Sequence, residues 1–232
     1  MEIETKIFDI KKVRKVLEKN KIEPHRVCDI TDFLFDIEDF SPRKWSYNFP
    51  KGGKSAILSF DSLSVEVPDR EALGLLEDFC TQRYVSRGSK IRLRLVDSVP
   101  YITMKGPKKT KKGVKSREEI ETRIGSLSAM MQILLASGAV LEKSIARVRE
   151  IYHLPDYPHA ELIIDILRSA HGKLEYAEIE CPSEDELHTL LDEVFDMDHT
   201  DISDTGVTTL HGKKMEKSVS RRLTALEELV GE

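Results

Sequence analysis

Long apolar runs are missing from this chain of 232 residues, and no stretch reaches the length of a membrane span. Cysteine is sparse. Cys28, Cys80 and Cys181 are odd in number, far apart and without a CxxC pair, which argues against a disulfide framework and for reduced thiols packed as small hydrophobes in the cytoplasm. The seven histidines are scattered and none stands at ligand spacing to a cysteine, so a structural zinc site is not expected. Nor is there a basic excess. With 41 acids against 36 bases the net charge is -5, which gives no reason to expect nucleic-acid binding. The charged fraction, 33%, is nonetheless high, and where those charges fall decides the reading.

The pattern alternates strands with helices, an α+β sequence. Alternation predicts strands over residues 1–9, 26–37, 117–124, 139–153, 160–169 and 174–181, and two strands over 91–105 that turn near Asp97-Ser98. Helical spacing covers 10–20, 126–137 (stopped by Gly138) and a segment from Ser183 to about Met197. Residues 38–89 form an irregular insertion with a strand-like 56–67 and a short helix after Pro68-Asp69. The run KGPKKTKKGVK (Lys105 to Lys115) reads as a mobile basic loop, and a helical tail is expected from about residue 206. No internal repeat is present, and the chain reads as one domain over residues 1–232 with that insertion and tail.

Residues two apart on a strand share a face. Glu2, Glu4 and Lys6 therefore face one way, as do Arg92 with Arg94, Glu119 with Glu121, Arg147 with Arg149, and Glu178 with Glu180, while Lys105 shares its face with Thr103. Apolar residues such as Ile3, Leu93, Ile120, Val148 and Ile179 fill the opposite faces. One such pair is an ordinary solvated face. Five strands whose paired charges are each of one sign leave two explanations, an exposed ion-pair surface or a barrel with an inward polar face. The inward arrangement suits a triphosphate: arginine forks and lysine point charges hold phosphate oxygens, and carboxylates contribute by holding Mg²⁺ or Mn²⁺. So many charges can be enclosed only if paired, hydrated or metal-bound.

Seven elements in order carry a family resemblance: EIETK at the start, DFLFD (Asp32 to Asp36), IRLRL, YITMKGPKK, SREEIE, RVREIY and the late EIE at Glu178 to Glu180. Together they resemble the CYTH superfamily, the triphosphate tunnel metalloenzymes. The resemblance covers residues 1–37 and 90–181. It implies a closed eight-stranded antiparallel β-barrel with helices packed outside. It implies catalytic roles for Glu2, Glu4, Lys6 and Asp165, and phosphate contacts from Lys6, Arg92, Arg94, Lys105, Arg147 and Arg149. Glu2, Glu4, Glu119, Glu121, Glu178 and Glu180 would hold Mg²⁺ or Mn²⁺ and form the acidic wall. Arg147 stands where the family usually has Lys, and the insertion 38–89 has no counterpart.

The expected activity is metal-dependent hydrolysis of tripolyphosphate, thiamine triphosphate or a nucleoside triphosphate. The alternatives are the class IV adenylyl cyclase reaction, giving cyclic AMP and pyrophosphate, and a non-catalytic polyphosphate or nucleotide binder. The expected partner is a small triphosphate, with no nucleic acid or membrane, and a homodimer is left open. Three weaker signals lead elsewhere. KGGKS (Lys51 to Ser55) lacks the first glycine of a phosphate-binding loop, that position being Asn48. The group Asp196, Asp198, His199 and Asp201 reads as a polar loop after a helix. Trp45 and Tyr47 read as anchors of the insertion.

Overall fold

The computed structural model describes residues 2–80, 89–111, 114–169, 172–198 and 202–203. Its α+β architecture comprises a large antiparallel sheet, a small three-stranded sheet and four α-helices. The expected tail from residue 206 lies outside the described residues. Among the described residues no helix is long and apolar enough to cross a membrane.

The large sheet is built from β1 (Glu2–Ile7), β2 (Arg26–Asp36), β6 (Lys90–Val96), β7 (Val99–Lys105), β8 (Lys109–Lys111), β9 (Val114–Arg117), β10 (Glu119–Arg123), β11 (Val140–Leu154), β12 (Tyr157–Ser169), β13 (Gly172–Cys181) and β14 (Ile202–Ser203). The strands run in the order β10-β7-β6-β2-β11-β12-β13-β1-β9-β8, with β14 added beside β1. This corrects the expected closed eight-stranded barrel. The hydrogen-bonded path has ten strands and two open ends. The reason is local. β9 and β10 are one run of chain interrupted at Glu118; β9 pairs with β1 while β10 pairs with β7. The circuit is therefore joined by covalent chain at Glu118, whose carbonyl accepts from Gly106 N at 2.9 Å, instead of by a ladder.

The basic segment after Gly106 also departs from expectation. It folds as the β8–β9 hairpin, because β9 finds a partner in β1. The β6–β7 turn falls where expected. Asp97 and Ser98 both have positive φ, the requirement of a type I′ hairpin turn, and Asp97 Oδ1 accepts from Asp29 N at 3.0 Å.

Two apolar cores cover the outer face of the sheet. Ile3, Ile7, Leu162, Ile164, Ala177 and Ile179 pack against α1 (Ile10–Lys19) and α4 (Glu184–Phe195). α1 buries Val13 and Leu17, which contribute about 2 kcal/mol each. Ser183 caps α4 by accepting from Glu186 N at 3.2 Å, leaving Leu187, Leu190 and Leu191 on its buried face. On the other side the insertion forms β3 (Trp45–Asn48), β4 (Ala56–Phe60), β5 (Leu63–Val67) and α2 (Arg70–Asp78). The single strand expected over 56–67 is a hairpin, turned at Asp61 with φ 50°. This lobe and α3 (Leu127–Ala136) pack on Phe35, Ile91, Leu93, Ile102 and Met104. Trp45 fixes the lobe: its Nε1 donates to Ser137 Oγ at 2.7 Å and its ring meets Phe40 edge-on at 5.4 Å.

Gly138 ends α3 with φ +90°, and a Cβ there would lie 2.5 Å from Asp39 O. Gly138→Ala is expected to cost about 2–3 kcal/mol through left-handed backbone strain and this close approach. Urea denaturation should show it as a lower midpoint at unchanged slope; an unchanged midpoint would mean that the loop at Asp39 yields freely.

Candidate functional site

Strand alternation turns the charged faces inward. Glu4, Lys6, Arg92, Arg94, Lys105, Glu119, Glu121, Arg147, Arg149, Glu178 and Glu180 all line one cavity of about 820 Å³. The alternative of a solvated surface is ruled out by burial, since Glu4, Lys6, Arg94, Lys105, Arg149 and Glu178 are each under a tenth exposed. Glu2 lies on β1 opposite Arg117, and its side chain is outside the described residues. Asp165 does not line the cavity. It is 0% exposed, set into the wall behind the arginines.

Two buried aspartates organise those arginines. Asp32 accepts from Arg94 Nε at 2.7 Å and Nη2 at 3.1 Å, and from Arg147 Nη2 at 2.6 Å. Asp165 accepts from Arg149 Nε and Nη2, both at 2.8 Å, and from the Tyr176 hydroxyl at 2.6 Å, while Arg147 Nε lies 3.0 Å away. Arg147 thus bridges the two carboxylates. Burial alone would push the Asp32 carboxyl up, but the Arg94 hydrogen bonds and the charges of Arg147 and Arg92 hold it well below the usual carboxylate range. Asp165 is lowered in the same way against its burial by Arg149 and Arg147. Bidentate geometry matters here, because a buried ion pair offsets its desolvation only when its hydrogen bonds are well made.

A second group is acidic. Carboxylate oxygens of Glu4, Glu178 and Glu180 lie within 4.8 Å of one another. Register explains the meeting: Glu4 stands opposite Glu180 and Lys6 opposite Glu178. Lys6 pairs with Glu178 and stands 3.8 Å from Glu4, while Lys115 pairs with Glu4. Adjacent carboxyls in this trio shift in opposite directions. Burial would raise Glu178, but Lys6, Arg149 and Lys115 lower it. Glu180 is pushed up to about 7 by burial first and the charge of Glu178 second.

The other expected metal ligands stand apart from this trio. Glu119 pairs with Lys105 and, at 2.8 Å, with Arg117; Glu121 pairs with Arg92 at 3.0 Å. Asp32, Lys115, Arg117 and Tyr176 also stand at the site, and the sequence pattern assigned none of them a role there. Lys115 and Arg117 had a signal, since Lys115, Arg117, Glu119 and Glu121 form one same-parity run in KSREEIE. Asp32 has apolar residues, Ile30 and Leu34, on either side of it along its own strand face, and Tyr176 reads as an ordinary core aromatic. Of the weaker signals, KGGKS contains a turn with Gly52 at φ 73°. Asp196 ends α4 at φ 50° and stands 3.9 Å from Lys12, while His199 and Asp201 lie outside the described residues. Cys28, Cys80 and Cys181 are free thiols.

A family model for the CYTH domain matches residues 82–206. Several solved structures share the fold. The PH1012 protein of Pyrococcus horikoshii superposes with a TM-score of 0.56 at 13% identity, covering 89% of this chain and 96% of its own. The PH1819 protein of the same organism gives 0.53 at 16% identity, covering 92% and 99%. HpAC1 from Hippeastrum, described as a putative adenylyl cyclase that reveals a dominant triphosphatase activity, gives 0.50 at 13% identity, covering 89% and 92%. No curated protein matches the sequence.

Asp32 supplies a test of the arginine lattice. Its folded-state pKa is depressed, so its contribution to stability is full above the unfolded value near 4 and is lost as pH falls below it. Asp32→Asn is expected to cost roughly 3–5 kcal/mol at pH 7, since it strips Arg94 and Arg147 of a buried counter-charge. Below pH 4 the variant should lack one proton of the acid slope, about 1.4 kcal/mol per pH unit. Urea denaturation at pH 7, 4 and 3 measures both, and identical slopes would exclude Asp32 as the acid-sensitive group.

Proposed function

The chain belongs to the CYTH domain family, and from that premise we propose that it hydrolyses a triphosphate within the charged cavity, with a divalent cation held at Glu4, Glu178 and Glu180. The observation that carries the reading is the pairing of an acidic trio with a wall of cations in a single cavity. A tripolyphosphate chain needs several positive groups spread along it, and Lys6, Arg92, Lys105, Lys115 and Arg117 supply them from four separate strands. The dominant triphosphatase activity described for HpAC1 supports hydrolysis over cyclisation.

The trio fits a hard divalent ion such as Mg²⁺ or Mn²⁺. It offers oxygen donors only, the ligand type that such an ion prefers, from three carboxylates within 4.8 Å of one another. When bound, the ion neutralises phosphate oxygens and lowers the pKa of a coordinated water. The protein's own groups do the rest. Lys6 and Lys105 bind phosphate oxygens as point charges, and Arg92 binds them as a planar fork. Arg94, Arg147 and Arg149 are locked by Asp32 and Asp165 before substrate arrives, so little side-chain freedom is lost on binding. Asp165, expected to be catalytic, is on this reading a positioning residue, since both its oxygens face Arg149 and Tyr176 within the wall. Glu119 and Glu121 orient Lys105, Arg117 and Arg92 across the cavity.

The purified chain should release orthophosphate from one of tripolyphosphate, thiamine triphosphate and ATP in the presence of Mg²⁺ or Mn²⁺, and EDTA should stop it. Cyclic AMP and pyrophosphate from ATP would replace hydrolysis by cyclisation, and metal-dependent binding without turnover would reduce the site to a binding module. Glu4→Gln keeps the shape of the trio while removing a charge. It is expected to lower kcat by at least about 100-fold with an unchanged far-UV circular dichroism spectrum. Full turnover in that variant would overturn the metal assignment.

A further inference from the structure

The acidic trio is neutralised by side chains standing where a metal ion would have to enter. Glu4 is the focus. Lys115 Nζ pairs with its Oε1, Lys6 Nζ lies 3.8 Å from the same oxygen and Arg117 Nη2 lies 4.0 Å from it. Lys6 is committed a second time, to Glu178, and belongs to β1, which is flanked by β13 and β9. Lys115 differs in its support. It lies on the four-residue β9, beyond which, among the described residues, the three-residue β8 forms the sheet edge. Its Cα stands opposite that of Glu4, it is only 8% exposed, and it lines the same cavity as the phosphate-facing cations.

A carboxylate oxygen cannot serve both an ammonium and a directly coordinated divalent ion. The two positive groups would share one site, and their repulsion is least screened where water is excluded. The flexible four-carbon stem of a lysine lets its head move without moving the strand, which the planar fork of an arginine does less readily. We propose that Lys115 is an internal rival of the metal for Glu4: metal entry drives its ammonium off the carboxylate and into the cavity, where it becomes a phosphate ligand. This rests on the metal-dependent triphosphate reading above. It adds a coupling. The lysine that opposes the metal when the cavity lacks substrate favours it once a triphosphate gives the displaced ammonium a new counter-charge. By reciprocity, metal and triphosphate then raise each other's affinity beyond their direct contact.

The test uses the full chain and the free Mn²⁺ electron paramagnetic resonance signal, with and without tripolyphosphate. Lys115→Met should bind Mn²⁺ alone on the order of tenfold more tightly than wild type. The factor by which tripolyphosphate improves Mn²⁺ binding should shrink by a similar amount. Lys115→Arg, which keeps the charge but moves less readily, should show no such gain in Mn²⁺ affinity, and Lys109→Met, an exposed lysine of the same hairpin outside the cavity, should change nothing. Unaltered or weaker Mn²⁺ binding by Lys115→Met overturns the proposal. A wild-type chain that binds Mn²⁺ and releases orthophosphate while Lys115→Met shows no gain sinks the coupling alone; a wild-type chain that does neither sinks the functional reading with it. Should Lys115→Met fail to fold, lysine side-chain NMR of the wild type decides. The Lys115 signal, assigned through Lys115→Arg, must move as Mg²⁺ is added without triphosphate, and a stationary signal overturns the proposal.

Discussion

Two buried carboxylates, Asp32 and Asp165, share the guanidinium of Arg147, and that shared ion pair sets the terms on which a charged interior can exist. Arginines facing one another across a cavity repel unless fixed anions stand between them. Asp32 holds Arg94 and Arg147, Asp165 holds Arg147 and Arg149, and Tyr176 completes the coordination of Asp165. The lattice spans β2, β6, β11, β12 and β13, so half the wall is cross-braced by side chains as well as by its ladders. The remaining cations can then be offered to a ligand, because the arginines behind them are already balanced.

The apolar content of the chain lies outside that wall. One sheet separates the charged cavity from two cores, one under α1 and α4, the other under α3 and the lobe made by residues 38–80. This inversion was legible in the alternation. Arg92 and Arg94 interleave with Ile91 and Leu93, and Glu178 and Glu180 with Ala177 and Ile179, so each strand declares both its faces. α3 was legible through its spacing and its stop at Gly138, α4 through its start at Ser183, and the β6–β7 turn through Asp97-Ser98.

Pairing was harder to read, for a physical reason. Periodicity reports which way a side chain points but not which strand lies beside it. The inward-facing Lys115, Arg117, Glu119 and Glu121 keep one parity, yet their segment changes partners at Glu118, from β1 to β7, and nothing in KSREEIE marks the change. The lysine content of KGPKKTKKGVK suggests solvent, whereas Lys115 faces inward because β1 brings Glu4 opposite it. Asp165 could be recognised as a charge in an apolar run, but its engagement by three residues from β11 and β13 depends on tertiary geometry. The clustering of Glu4 with Glu178 and Glu180, with Glu119 and Glu121 held apart, is likewise a consequence of register.

A wall one sheet thick, mostly charged within and apolar without, behaves like a combination lock. Slipping any strand by one residue would turn its charges into the cores and its Ile and Leu into the cavity, a change that the buried area on both sides forbids. A slip of two residues preserves polarity and costs the cores less, but it resets which charge meets which. On β1 it would move Lys6 into the place of Glu4, facing Glu180 and Lys115. Natural variation in such a fold is therefore quantised. Strands can exchange one charged residue for another at fixed inward sites, or shift in steps of two, while intermediate shifts are closed to them.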